Sequence, residues 1–242
     1  MSVSCGWPYC NFKCDGVFSC QDLMVEENTW SIECTQTSSC LGITARCSRG
    51  KSCKATCVGM SACHNGKFDG QWNNLDCIGD SACRDLTIQA SEYVRCTGTG
   101  EDICRGLNAN CTDSKSCFFH CYGTSACAFN RLNGIWNAIK CIGTSSCQGL
   151  YVEECIESIK CEEDSSCRDL IATCTDGKSC LAKCDGVNTC SRAKLYGTWD
   201  MNCTGIAACQ GANIALATGS VQRPSSGQVT IIFAIVLSQL IF

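Results

Sequence analysis

Apolar and polar residues alternate along most of the chain in short runs that end on a cysteine. An apolar residue stands two before the cysteine and a polar one directly before it, as in Ile32-Glu33-Cys34, Leu75-Asp76-Cys77, Val94-Arg95-Cys96, Ile139-Lys140-Cys141 and Ile159-Lys160-Cys161. This period of two predicts strands whose apolar residue and cysteine face inward. A second alternating run follows a short break: Leu23 and Val25, Leu86 and Ile88, Leu150 and Val152. Within the break a glycine stands two residues after the first cysteine, at Gly16, Gly59, Gly79, Gly98, Gly123, Gly143, Gly186 and Gly205. Glycine there serves a turn with φ > 0 or a close approach of neighbouring coils. The unit reads as strand, corner, strand, with each corner closed by its own disulfide.

The unit recurs. Cysteines six apart stand at Cys14 and Cys20, Cys34 and Cys40, Cys47 and Cys53, Cys57 and Cys63, Cys77 and Cys83, Cys111 and Cys117, and Cys121 and Cys127. The series continues with Cys141 and Cys147, Cys161 and Cys167, Cys174 and Cys180, Cys184 and Cys190, and Cys203 and Cys209, while Cys96 and Cys104 frame the same unit with two extra residues. Successive starts from Cys14 step by 20, 13, 10 and 20, then 19, 15, 10 and 20, then 20, 13, 10 and 19. A superrepeat of about 63 residues emerges, with starts at 14, 77, 141 and 203. Merging the short steps leaves a mean interval of about 21 residues, one coil of a stacked solenoid. The expected fold is an all-β, disulfide-rich parallel β-helix. A coil of half that length, or a string of small irregular disulfide knots, fits the same spacing.

The chain divides accordingly into a partial leading repeat at 1–13, superrepeats at 14–76, 77–140 and 141–202, and a final partial repeat at 203–217. A polar spacer follows at 218–228 and a hydrophobic tail at 229–242.

Composition bears on the compartment. Cysteine makes up 29 of 242 residues, a usage that points to oxidising surroundings and disulfides. Structural metal sites favour closely spaced thiolates with histidine co-ligands; this chain has no CxxC or CxC and only two histidines, so no metal or other cofactor is expected. An odd cysteine count leaves at least one thiol unpaired within the chain, and Cys155, outside the pairs, is the candidate. The net charge of −4, without a basic block, argues against a nucleic-acid partner.

The first residues, MSVSCGWPYCNFKC, hold no basic start followed by an apolar run, so an export signal is expected ahead of this sequence. At the other end VTIIFAIVLSQLIF is apolar and charge-free. Its 14 residues are short for a helix spanning about 30 Å. Small residues, polar spacer and apolar tail form the pattern of a glycosylphosphatidylinositol signal, with the lipid at Gly219 or Ser220; a single short transmembrane anchor is the alternative. Either tethers the repeats to a membrane on its extracellular side. Sequons at Asn110 and Asn202 suit such a chain, each with a repeat cysteine as its middle residue.

Chemistry is sparse. GxW recurs at Gly70-Gln71-Trp72, Gly134-Ile135-Trp136 and Gly197-Thr198-Trp199. Three tryptophans, one per superrepeat, could form a ladder that stacks on sugars, or could pack inside a wider corner of the coil. His64 and His120 have no nucleophile in a recognisable elbow and read as surface turn residues, so no catalytic residue is assigned. A carbohydrate-active β-helix enzyme would concentrate Asp, Lys or Arg in one place, and the linear sequence displays no such concentration.

The corners CTDSKSC and CTDGKSC resemble the disulfide-bridged coils of beetle antifreeze proteins, a resemblance that implies ice binding through a ladder of Thr-x-Thr. That motif stands here at Thr35-Gln36-Thr37, Thr97-Gly98-Thr99 and Thr173-Cys174-Thr175. The longer pattern C-x-G-x-S-[AS]-C, spanning residues 14 to 209, is similar to tandem cysteine-rich surface proteins of protists and implies a place rather than a chemistry. The expected function is that of a non-enzymatic cell-surface rod with a structural, adhesive or recognition role, its partners glycans or other surface proteins. Ice or crystal-surface binding and carbohydrate-active catalysis are the alternatives.

Overall fold

The computed structural model describes residues 2–6, 9–47, 52–111 and 117–215. Its strands are β1 (Ser2–Gly6), β2 (Tyr9–Cys14), β3 (Met24–Cys34), β4 (Thr44–Cys47), β5 (Cys53–Val58), β6 (Lys67–Ile78), β7 (Thr87–Thr97) and β8 (Asn108–Cys111). They continue with β9 (Cys117–Tyr122), β10 (Arg131–Ile142), β11 (Tyr151–Glu162), β12 (Ile171–Cys174), β13 (Cys180–Asp185), β14 (Lys194–Tyr196), β15 (Trp199–Thr204) and β16 (Asn213–Ala215). The spacer, the tail, Gly219 and Ser220 lie outside the described residues, as does Thr112 of the first sequon.

The strands stack in parallel as an all-β solenoid. Cys14, Cys34, Cys57, Cys77, Cys96, Cys121, Cys141, Cys161, Cys184 and Cys203 follow one another in register, one per coil. This cysteine column has an apolar counterpart in Val25, Ala45, Phe68, Ile88, Ala109, Leu132, Val152, Ala172, Leu195 and Ile214. The coil is therefore the interval of about 21 residues, not half of it. Alternation sends Ile32, Leu75, Val94, Phe119, Ile139 and Ile159 into the interior, all 1% exposed or less. The antiparallel pairing of β1 with β2 closes the first coil, where a parallel strand would stand farther along the rod.

Between the two columns the chain does not run as a strand. Ser39 N donates to Gln36 O at 3.1 Å, Leu41 N to Ser38 O at 3.4 Å and Ile43 N to Cys40 O at 3.1 Å. The third residue of each such turn has φ > 0: Ser38 at 52°, Cys40 at 58° and Gly42 at 67°. Positive φ there and not at the preceding residue defines overlapping type II turns. The remaining N–H groups reach neighbouring coils, Cys40 N to Ser19 O at 2.8 Å and Gly42 N to His64 O at 2.9 Å. Backbone pairing between coils thus continues on the turn side, as a buried stack requires. Serine, asparagine and the second cysteine take the left-handed conformation in coil after coil, among them Cys63, Cys83, Cys104, Cys147 and Cys190.

The glycines two residues after the first cysteine combine positive φ with close stacking. Gly79, Gly123, Gly143 and Gly205 each lie over the peptide of the corresponding glycine one coil earlier. Gly16 stands apart: it is not in the left-handed region, and a Cβ there would meet only its own Ser19. It belongs to the first coil, with no coil beneath it to approach. Glu163 occupies the glycine position in one coil at φ 76°.

The superrepeat has a packing basis at the third interior corner. Disulfide Cys47–Cys53 fills that corner in one coil, Trp72 lies in register with Cys53 in the next, and Ala90 follows Trp72. The cycle returns as Cys111–Cys117, Trp136 and Cys155, and again as Cys174–Cys180 and Trp199. A bridge, a large ring and a small residue alternate so that adjacent layers interdigitate. Alanines accompany the bridges, Ala45 and Ala55 in one coil, Ala172 and Ala182 in another, all buried, because the extra sulfurs occupy the volume that Phe68 or Leu75 fills elsewhere.

Candidate functional site: a cationic and aromatic strip on the cysteine column

The residue before each first cysteine points outward by the same alternation that turns the cysteine in. Down five consecutive coils these residues are Arg95, His120, Lys140, Lys160 and Lys183, paired in register. At the strand spacing of a sheet they form a row about 19 Å long, parallel to the rod axis. Asp76 bounds it at one end and Asn202 at the other. Tyr93 and Phe118 stand in register two residues before the row, and Tyr122 two residues after it.

Rings and cations are in contact. The Tyr93 hydroxyl hydrogen-bonds His120 Nδ1, and the two rings meet edge to face with centroids 4.9 Å apart. Tyr122 lies edge-on to His120 at 6.1 Å and carries Lys140 Nζ 5.4 Å from its ring centre. Burial, then Lys140, then Arg95 hold the His120 imidazole below its ordinary pKa. Burial above all raises the Tyr93 phenol, so the phenol keeps its proton, donates it to Nδ1 and leaves an Nε2–H on the neutral imidazole. Lys160 is partly neutralised by Glu162 at 2.5 Å. Arg95, Lys140 and Lys183 form no ion pair among the described residues, so their charge is available.

The strip was hidden in the linear sequence because its members are 20 to 25 residues apart. Aligning coils on the first cysteine and reading the preceding column would have found it. His120, expected in a turn, lies within β9 on the sheet face, whereas His64 sits in a corner, where its carbonyl accepts from Gly42 N.

The other expected positions fall as follows. Disulfides join Cys14–Cys20, Cys34–Cys40, Cys47–Cys53, Cys57–Cys63, Cys77–Cys83, Cys96–Cys104 and Cys111–Cys117. They also join Cys121–Cys127, Cys141–Cys147, Cys161–Cys167, Cys174–Cys180, Cys184–Cys190 and Cys203–Cys209. Cys10, left unpaired by the sequence pattern, is disulfide-bonded as well. Cys155 is a free, fully buried thiol, pushed up to about 11 by burial. Its small side chain takes the place in the stack that Thr29 holds in the first superrepeat. Asn110 and Asn202 are exposed.

Of the two readings of GxW, packing inside the coil is the one the structure shows: Trp72, Trp136 and Trp199 are 0%, 0% and 8% exposed, so no sugar ring can reach them and they form no ladder. Their indole N–H groups donate inward-side bonds to Asp69 O, Asn133 O and Tyr196 O at 2.9, 3.0 and 2.8 Å. The Thr-x-Thr motifs form no common face either, since Thr97 lies on the cysteine column in β7 while Thr173 lies in β12 on the apolar column.

Clusters such as Cys34, Cys57 and Cys63 bring three sulfurs together, but those sulfurs are consumed in bridges and offer no thiolate. A cleft of about 420 Å³ on the turn side is lined by Arg168, Asn188, Ser191, Arg192, Gln210 and Gly211. Asp169 binds Arg192 at 2.5 Å and approaches Arg168 at 3.7 Å, so the cations there are already paired.

Disulfides in every coil indicate an extracellular or secreted setting. No helix of the described residues is long and apolar enough to cross a membrane. No known family model matches the chain, and no characterised protein or solved structure is significantly similar to it.

Proposed function

We propose that the chain is a non-enzymatic, disulfide-stapled rod displayed on the outer face of a cell membrane, where it serves a structural, adhesive or recognition role. The observation that carries this is the closed corner of each coil: bridges placed in a periodic stack persist only where thiols are kept oxidised, and a stiff rod presenting flat faces suits display. The small residues Gly219 and Ser220, the spacer and the apolar segment 229–242 support a glycosylphosphatidylinositol link. Exposed Asn110 and Asn202 are its glycosylation positions. The resemblance to protist surface proteins supports the same location.

The test is to label intact cells that express the natural gene, with an antibody against the repeats, before and after phosphatidylinositol-specific phospholipase. Surface labelling released by the phospholipase is expected. Labelling only after permeabilisation would overturn the location, and surface labelling that resists the enzyme would replace the lipid with a transmembrane anchor.

A further inference from the structure

The row Arg95, His120, Lys140, Lys160 and Lys183 has a regularity that solvation alone does not require. One cationic or protonatable group stands on each of five successive coils, on a flat parallel face, with Tyr93, Phe118 and Tyr122 beside it. A partner that uses the whole row must carry anions at a regular pitch close to the strand spacing of about 4.8 Å. It must also offer rigid apolar faces to the aromatic rings. An extended chain of linked pyranoses meets both conditions: its ring-to-ring advance is close to the sheet spacing, and the C–H faces of its rings stack on aromatic side chains.

We infer that this strip binds a linear anionic polysaccharide, laid along the rod axis, with one carboxylate or sulfate per sugar facing the cations. Arg95, Lys140 and Lys183 supply the charge; Tyr93, Phe118 and Tyr122 supply the stacking surface at one end. Duplex nucleic acid fits less well, because its two strands carry one charge per about 1.7 Å of axis, too dense for one cation per coil, and Glu162 and Asp185 flank the Lys160 and Lys183 half of the row. The inference deepens the surface-recognition role proposed above and rests on it.

His120 gives the binding a pH signature. Tyr93 and Arg95 face it from β7, Tyr122 from its own strand and Lys140 from β10. With two cations as neighbours the imidazole is neutral at pH 7, and an anion laid over it favours its protonated form, so binding tightens as pH falls from 7 toward 5.

The experiment uses the full chain produced through an oxidising secretory route and titrated by calorimetry with polygalacturonate, heparin, neutral dextran and duplex DNA. Binding of polygalacturonate or heparin is expected, the two arms separating carboxylate from sulfate. Arg95→Ala/Lys140→Ala is expected to weaken it roughly tenfold per cation removed, while Lys67→Ala/Lys194→Ala on the apolar column leaves it unchanged. Equal loss in both double variants, or DNA bound as tightly as either glycan, would overturn the inference. Intact mass without reduction separates the two levels: a fully bridged chain that binds neither glycan refutes the strip alone, whereas several free thiols refute the extracellular rod itself.

Discussion

A methyl group added to Gly143 would sit 2.4 Å from the carbonyl oxygen of Gly123, at a backbone φ of 131°. Both faults are backbone faults, which no side-chain rotation can relieve, so Gly143→Ala is expected to cost about 3 kcal/mol. Glu163 is the complementary case, since it holds φ 76° where neighbouring coils have glycine. Glu163→Gly should therefore raise stability by up to about 1 kcal/mol. Denaturant midpoints of the two variants check both signs; a neutral Gly143→Ala would mean that the coils do not stack as closely as described. The sequence disclosed this glycine because its position relative to cysteine is constant. The left-handed serines and cysteines beside it were not legible, because neither residue type advertises positive φ and only the interlocking turns impose it.

Strand patterns were legible to the extent that alternation was. Inward residues such as Ile32, Leu75 and Ile139 could be assigned before the fold was known, since a period of two leaves only two faces. The direction of Trp72, Trp136 and Trp199 could not, because GxW stands at a bend where alternation is interrupted by a register shift. Their burial carries a prediction: Trp136→Ala empties the volume between Cys117 and Cys155 and should cost about 3 to 5 kcal/mol, without altering glycan binding if the strip is the site. Strands β7, β9 and β10 carry a second prediction through His120. Its pKa is lower in the folded chain than the ordinary 6.5, so on acidification the unfolded chain takes up the proton first. Stability is then intact above about pH 6.5 and declines as pH falls through the folded value. Replacement of His120 by Gln should remove that part of the decline, read as a smaller difference in denaturant midpoint between pH 7 and pH 5.

On the scale of the whole molecule, the rod is about 45 to 50 Å long at one coil per strand spacing, and its interior is one residue layer thick in each coil. So narrow a stack buries little apolar surface per residue, and the bridges compensate. Closing a loop of this length contributes roughly 2 kcal/mol by the chain-entropy model. Thirteen such bridges join described residues. Even with heavy non-additivity their sum exceeds the about 5 to 15 kcal/mol by which ordinary domains are stable. Full reduction is therefore expected to unfold the rod rather than loosen it, with loss of the β-sheet circular dichroism signal at 25 °C. Alkylation supplies an internal check, because Cys155 is fully buried and its thiol is raised to about 11. The native, unreduced chain should resist iodoacetamide at pH 7.5, and guanidinium without reductant should expose one reactive thiol at Cys155. A reduced chain that keeps its sheet signal would show that the backbone ladders alone hold the stack and that the bridges serve another purpose, such as resistance to proteolysis.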